Sequence, residues 1–252
     1  MKKISFLIIT MISLWGVAQN NELFDEATKA YNEGKYNAAI ENYNKIIDNG
    51  EHSAALYFNL GNAYYKLNNI APSIYYYEKS LLLDPSDNEV KNNLGFARNM
   101  TLDAIEQLPE TGIGKIFSGI TGFLSFDQWA ITAIIFMLLF VLGYIAFYYL
   151  SYSSQKRVAF IGSMASLVIS IGAVLFAYME YNTYRSEQPA IVFENEVIVK
   201  SEPNNRSQES FRIHEGTKVF VLDTLSDWNK IKLADGKSGW LPSDNIKLLK
   251  DF

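Results

Sequence analysis

The chain has 252 residues and a formal net charge of −5, from 22 Lys and Arg against 27 Asp and Glu, and it contains no cysteine. That balance makes no electrostatic claim on nucleic acid, which demands concentrated basic charge. The missing thiols exclude disulfides, thiolate metal sites, Cys nucleophiles and a lipid-modified N-terminal Cys. Its two histidines, His52 in an apparent turn and His214 just before Glu215-Gly216, each lack a nearby His partner. The first is expected to be solvated and the second structural, with no zinc site or His-based triad between them.

Lys2 and Lys3 precede an apolar run from Ile4 to Trp15, and Gly16-Val17-Ala18 follows. A basic start, a core too short to span comfortably and a small-x-small exit read as a secretory signal peptide over residues 1–18. An uncleaved anchor is the competing reading.

Residues 20–53 repeat in register as residues 54–87, a period of 34 that signals a helix-turn-helix solenoid. Gly34-Lys35-Tyr36 aligns with Asn68-Asn69-Ile70, Ala39-Ile40 with Ser73-Ile74, and Tyr43 with Tyr77. In the second copy Gly61 and Ser73 let paired helices touch, while Tyr64 and Tyr77 fill the gap between repeats. Pro85 stops the second helix and Pro72 falls in its first turn, where proline is tolerated. A third copy begins at Asn88, carries Leu94-Gly95 at the expected places, and is predicted to run as one capping helix toward Leu108.

The set Tyr57, Leu60, Gly61, Tyr64, Ser73, Tyr77, Ser80 and Pro85 resembles the tetratricopeptide repeat family, over residues 20–108. That resemblance implies a concave groove for peptides, lined by the first helices of successive repeats. Carried onto this chain, the groove positions are Phe24, Thr28 and Tyr31, then Phe58, Asn62, Tyr65 and Lys66, then Phe96. Some members grip a terminal carboxylate with basic and amide side chains, but Phe24, Thr28, Glu89 and Asn93 occupy most of those places here. Residues 20–111 hold fourteen acids against seven bases, which suits a basic or apolar peptide.

A glycine-punctuated juxtamembrane linker over residues 109–125 has partly helical apolar spacing, as if lying on a membrane surface. Residues 126–150 and 158–180 are then long and apolar enough to cross a bilayer. Trp129, Tyr148, Tyr149 and Tyr152, with Tyr178, Tyr181 and Tyr184, mark the edges as interfacial anchors. The connection over residues 151–157 carries Lys156 and Arg157 and no acid, so it is expected to stay cytoplasmic, leaving both soluble parts outside. Gly162, Ser166 and Ser170 form a small-residue stripe suited to close helix packing.

Gly236-Lys237-Ser238 ends like a phosphate-binding loop, but Ile231 stands where the first glycine must be, and Gly239-Trp240-Leu241-Pro242 cannot open a helix. Alternation on both sides of Asp235-Gly236 predicts a β-hairpin instead. With Glu196–Lys200 and residues 215–222 it gives about five short strands, a small barrel over residues 190–250. The ordered set Gly216-Thr217, Trp228, Lys230-Ile231, Asp235-Gly236 and Gly239-Trp240-Leu241 resembles a bacterial SH3-type domain, whose members bind cell-wall peptides or proteins. Both Trp are expected in its core.

The fold class is therefore a multidomain membrane protein: all-α repeat hairpins, two transmembrane helices and an all-β SH3-like barrel. With Arg212-Ile-His-Glu-Gly-Thr-Lys218, this order resembles the BatE family of the Bacteroides aerotolerance operon. That resemblance implies an inner-membrane, non-enzymatic scaffold beside von Willebrand factor A-domain membrane proteins and a MoxR-type ATPase. A wall sensor or anchor whose barrel binds peptidoglycan is the alternative. No cofactor, metal or nucleotide is expected, and no acid pair sits in a recognisable catalytic motif. Reporter fusions placed after Ser154 and at Phe252 should report opposite sides of the membrane; matching sides would break this topology.

Overall fold

The computed structural model describes residues 20–105 and 119–250. The signal peptide expected over residues 1–18, and residues 109–118 of the expected linker, lie outside the described residues. The chain divides into two compact units, Met1–Gln107 together with Gln188–Phe252, and Leu108–Glu187.

The first unit begins with the helical repeat: α1 over residues 20–32, then α2 Tyr36–Asp48, α3 Ala54–Lys66, α4 Ile70–Leu83 and α5 Asn88–Arg98. Side-chain caps fix two of the starts. The Ser53 hydroxyl accepts from Leu56 N–H, and the Asp87 carboxylate from Glu89 and Val90 N–H, each cap being worth about 1 kcal/mol. Small residues then bring the helices together: Ser73 donates to the Gly61 carbonyl at 3.0 Å and Ser80 to the Ala54 carbonyl at 2.9 Å. The interior is aromatic, with Tyr43, Tyr57 and Tyr77 essentially fully buried.

The third copy stops sooner than the sequence predicts. Helix α5 ends at Arg98, short of Leu108, because Thr101 folds back to donate to the Arg98 carbonyl and residues 101–105 run onto the β-sheet. Among the described residues no further helix stacks on the outer face of α5, and the residue types there explain why. One period after the buried Tyr57 and the half-buried Tyr64 come exposed Lys91 and Arg98. A Cβ added at Gly61 would meet the Tyr77 ring at 2.5 Å, whereas one at the equivalent Gly95 would meet nothing within 4 Å.

The remainder of this unit is an antiparallel sheet of seven strands, two more than the sequence suggests. These are β1 Gln188–Val192, β2 Glu196–Lys200, β3 Glu209–His214, β4 Lys218–Leu225, β5 Trp228–Lys232, β6 Ser238–Pro242 and β7 Ile246–Leu248. Their order is β3-β2-β6-β5-β4-β1-β7. Irregularities after Val199 and Val221 bend the strands, and every strand contributes a residue to one core that includes Val192, Val199, Ile213, Val219, Ile231 and Leu241. The sheet is therefore rolled. Lys232 pairs with Ser238, and between them the expected hairpin forms: Gly236 adopts a φ of +88°, open to glycine at little cost, and Lys237 N–H bonds the Asp235 carboxylate at 3.0 Å.

The second unit holds two helices long and apolar enough to cross a membrane, α6 Phe126–Tyr149 and α7 Ser153–Ser186. Lys156 and Arg157 thus sit in the first turns of α7 rather than in a loop, and the connection shrinks to Leu150–Tyr152. Of the predicted small-residue stripe only Ser170 is buried, donating to the Ala133 carbonyl at 2.8 Å. A four-residue step rotates by about 40° on a helix, so Gly162 and Ser166 swing off the seam. A seven-residue step returns almost to the same face, and Ser163 takes their place, where a Cβ on Gly143 would meet it at 3.1 Å.

The two equivalent glycines should respond oppositely to substitution. Gly61→Val should destabilise the first unit by about 1–3 kcal/mol through overpacking on Tyr77. Gly95→Ala should stabilise it by up to about 1 kcal/mol through helix propensity. Urea unfolding of the detergent-solubilised chain, followed by tryptophan fluorescence, checks both signs.

Candidate functional site

Helices α1, α3 and α5 bring five of the eight expected groove residues to one cleft of about 250 Å3: Tyr31, Asn62, Tyr65, Lys66 and Phe96. Tyr77, Glu89 and Asn93 complete its wall. Asn62 is the organising residue. Its Oδ1 accepts from the Tyr77 hydroxyl at 2.7 Å and from Asn93 Nδ2 at 3.0 Å, tying α3, α4 and α5 across the floor. Burial pushes the Tyr77 phenol far above its ordinary value, so it stays a neutral donor; burial, then neighbouring Tyr36 and Tyr43, also raises Tyr31. Phe96 is 61% exposed at the rim, beside Lys66 and Glu89.

The other three expected residues lie elsewhere. Phe24 packs edge-on against Tyr43 with ring centroids 5.6 Å apart. Thr28 donates to the Phe24 carbonyl at 2.9 Å and lies 3.1 Å from the Tyr43 hydroxyl. Phe58 packs against the apolar core of α4 and α5. These three build the stack. Conversely, Tyr77 serves the groove as well as the packing that the sequence assigns to it. His52 is exposed, as expected, and its Nδ1 lies 2.5 Å from the Tyr57 hydroxyl.

A second feature has no counterpart in the sequence analysis: the repeat and the rolled sheet share a core. Ile191 and Leu249 from the sheet are fully buried in one cluster with Ile70, Ile74 and Tyr75 of α4 and Leu94 of α5. Phe193 meets Tyr75 edge-on at 5.5 Å, and the Tyr75 hydroxyl donates to the Leu248 carbonyl at 3.2 Å. Gly216, with a φ of +81°, lets the sheet come so close that a Cβ there would lie 2.8 Å from the Thr101 methyl.

Two carboxylates from the repeat side frame this junction. Glu78 is only 7% exposed and pairs with Arg98 through one oxygen and with Lys218 Nζ, at 2.7 Å, through the other. Asp103 accepts from His214 N–H at 2.6 Å and from the Thr217 hydroxyl at 2.5 Å, and it lies 2.8 Å from His214 Nδ1. An ionised carboxylate only accepts, so this Nδ1 carries the proton. Burial opposes the Asp103 charge, but the hydrogen bonds from Thr217 and His214 outweigh it and hold the carboxyl below the usual range.

On the outer surface of the sheet, Trp228 and Trp240 are half-buried rather than in the core. Strand alternation sends Asn229, Ile231, Gly239 and Leu241 inward and leaves the indoles outside, with Lys230 Nζ 6.0 Å from the Trp240 ring centroid. Among the described residues no cluster of three or more His, Cys, Asp or Glu is placed to hold a metal.

Comparison with known families assigns the two folds. Residues 54–87 match the tetratricopeptide repeat, and residues 195–247 match the bacterial SH3 domain. No curated protein matches the chain. Both are interaction folds. The SH3 match begins after β1 and ends before Leu249, so the strand and the residue that dock onto the repeat lie outside it.

Asp103→Asn should loosen the junction, because one acceptor oxygen becomes a donor facing His214 N–H, at a cost of about 1–3 kcal/mol. The folded pKa of Asp103 is depressed, so its contribution is complete above the unfolded value of about 3.9 and is lost as the pH falls through the folded value. The stability gap between wild type and D103N should therefore shrink below about pH 4, as thermal melts across pH will show.

Proposed function

We propose that this chain is a non-enzymatic membrane scaffold whose tetratricopeptide groove and SH3-type sheet form one body, joined through the chain to a transmembrane helix pair. The observation that carries this reading is the shared core, which makes the two interaction folds a single body rather than beads on a linker. The repeat precedes the apolar helices and the sheet follows them, and the shared core supports a reading in which both lie on one side of the bilayer. The secretory-type N-terminus and the basic residues at the start of α7, Lys156 and Arg157, favour the extracytoplasmic side of the inner membrane.

The groove takes an extended or helical peptide from an envelope protein. Its chemistry is mixed, with aromatic rims, two amides, one Lys and one Glu. That selects a peptide with an apolar anchor and both charge signs rather than a bare acidic tail. In the BatE-like reading the partner is a von Willebrand factor A-domain membrane protein within an aerotolerance or stress-related assembly. The half-exposed Trp228 and Trp240 support a second reading, a wall anchor or sensor in which the SH3-type face binds peptidoglycan peptides.

A photo-crosslinking residue at Tyr65 or Phe96 in native membranes should trap a von Willebrand factor A-domain protein. Purified sacculi should leave the full-length chain in the supernatant. Sedimentation with sacculi, without a protein crosslink from either groove position, would replace the scaffold reading with the wall-anchor one.

A further inference from the structure

Docking of the sheet onto the repeat creates a cleft of about 310 Å3 that neither fold contains alone. Its walls come from the tail of α5 and the residues after it (Arg98, Ala104, Ile105) and from the sheet (Lys218, Phe220, Ala234). We propose that this junction cleft is a binding site for a small peptide carboxylate, separate from the repeat groove.

The hydrogen-bonding account points to an anion. The acids nearby already hold donors: Glu78, whose oxygens accept from two of the lining residues, pairs with Arg98 and Lys218, and Asp103, on the cleft wall, accepts from His214 and Thr217. The lining cations keep donors to spare. Among the described residues Arg98 commits one of its N–H groups to Glu78, leaving most of the guanidinium fork free. Lys218 commits one N–H to Glu78 and rests 5.9 Å from the Phe220 ring centroid. Glu78 therefore holds two cations side by side while spending little of their donor capacity. Such an arrangement receives a planar carboxylate bidentately.

The walls set the remaining chemistry. Ala104, Ile105, Phe220 and Ala234 are apolar and leave room for small aliphatic side chains. The volume stands at the low end of ligand pockets, which run from about 300 Å3 upward. A terminal carboxylate carried on one or two alanine-sized residues satisfies both requirements. A phosphate would engage the cations but leave the apolar walls empty.

The test is calorimetric titration of the full-length chain in detergent micelles with N-acetyl-Ala-Ala, its C-terminal amide and inorganic phosphate. The free acid should bind, and the amide should bind weaker by about tenfold or more, the loss expected for a charge-assisted pair. Arg98→Gln should reproduce that loss. Ala234→Leu, which fills the cleft without removing a charge, should abolish binding while leaving the melting transition in place. If R98Q fails to fold, A234L decides alone. Equal binding of acid and amide, no binding of the acid, unchanged affinity in A234L, or tighter binding of phosphate than of the dipeptide would each overturn the assignment.

Discussion

The packing of β1 on α4 is the constraint from which the rest of the first unit follows. Helix α4 has work on three sides at once. One side carries Ser73 and Ser80 against α3, and Tyr77 reaches the groove floor. The third presents Ile74, Tyr75 and Glu78 to the sheet. In a longer solenoid that third side and the outer face of α5 would be covered by further helices, or made polar. Here the sheet covers the apolar part through Ile191 and Leu249, and charge covers the rest through Lys91 and Arg98. Terminal repeats need such a cover to stay soluble, and this chain builds it partly from a different fold.

Glu78 and Asp103 set the register of that contact more than its strength. Burying charge is expensive, and a pair that is only balanced adds little over apolar packing of the same shape. Removing one partner is another matter, because it strands the other without water. Both carboxylates face donors from the sheet whose positions are fixed by backbone, at His214 N–H, or by a strand, at Lys218. A slipped or rotated sheet would leave Glu78 buried without its ammonium. The apolar contacts tolerate small displacements that these hydrogen bonds do not.

Much of the fold was legible in the residues, for identifiable physical reasons. The 34-residue period, the close approach of helices at Gly61 and Ser73 and the Asp235-Gly236 turn are local signals, and each appears in the structure where the spacing put it. The groove was legible in part. Asn62, Tyr65 and Lys66 line it because their helix face is fixed by Leu60 and Gly61. Phe24 and Phe58 do not, since a large aromatic near a core is drawn into it. The Trp pair was misread because a large aromatic in a small barrel is more often core than surface, while strand alternation around Ile231 and Leu241 sends both outward. The junction was not legible at all. Its contacts join residues more than a hundred positions apart, such as Asp103 with His214 and Glu78 with Lys218, and no periodicity spans the apolar helices between them.

That separation gives the helix pair a further task. The first unit is a discontinuous domain, and everything between residue 105 and β1 is an insertion whose ends must meet before the core can close. The ring of Phe126, at the start of α6, packs against Tyr181 and Tyr184 near the end of α7, with centroids 5.7 and 5.3 Å away. The hairpin thus holds residue 126 beside residues 181 and 184, which removes most of the insertion's length from the search that brings the sheet to the repeat. In order of synthesis the repeat emerges first and the sheet last, and the assembled pair of helices is what makes their meeting intramolecular in practice as well as in name.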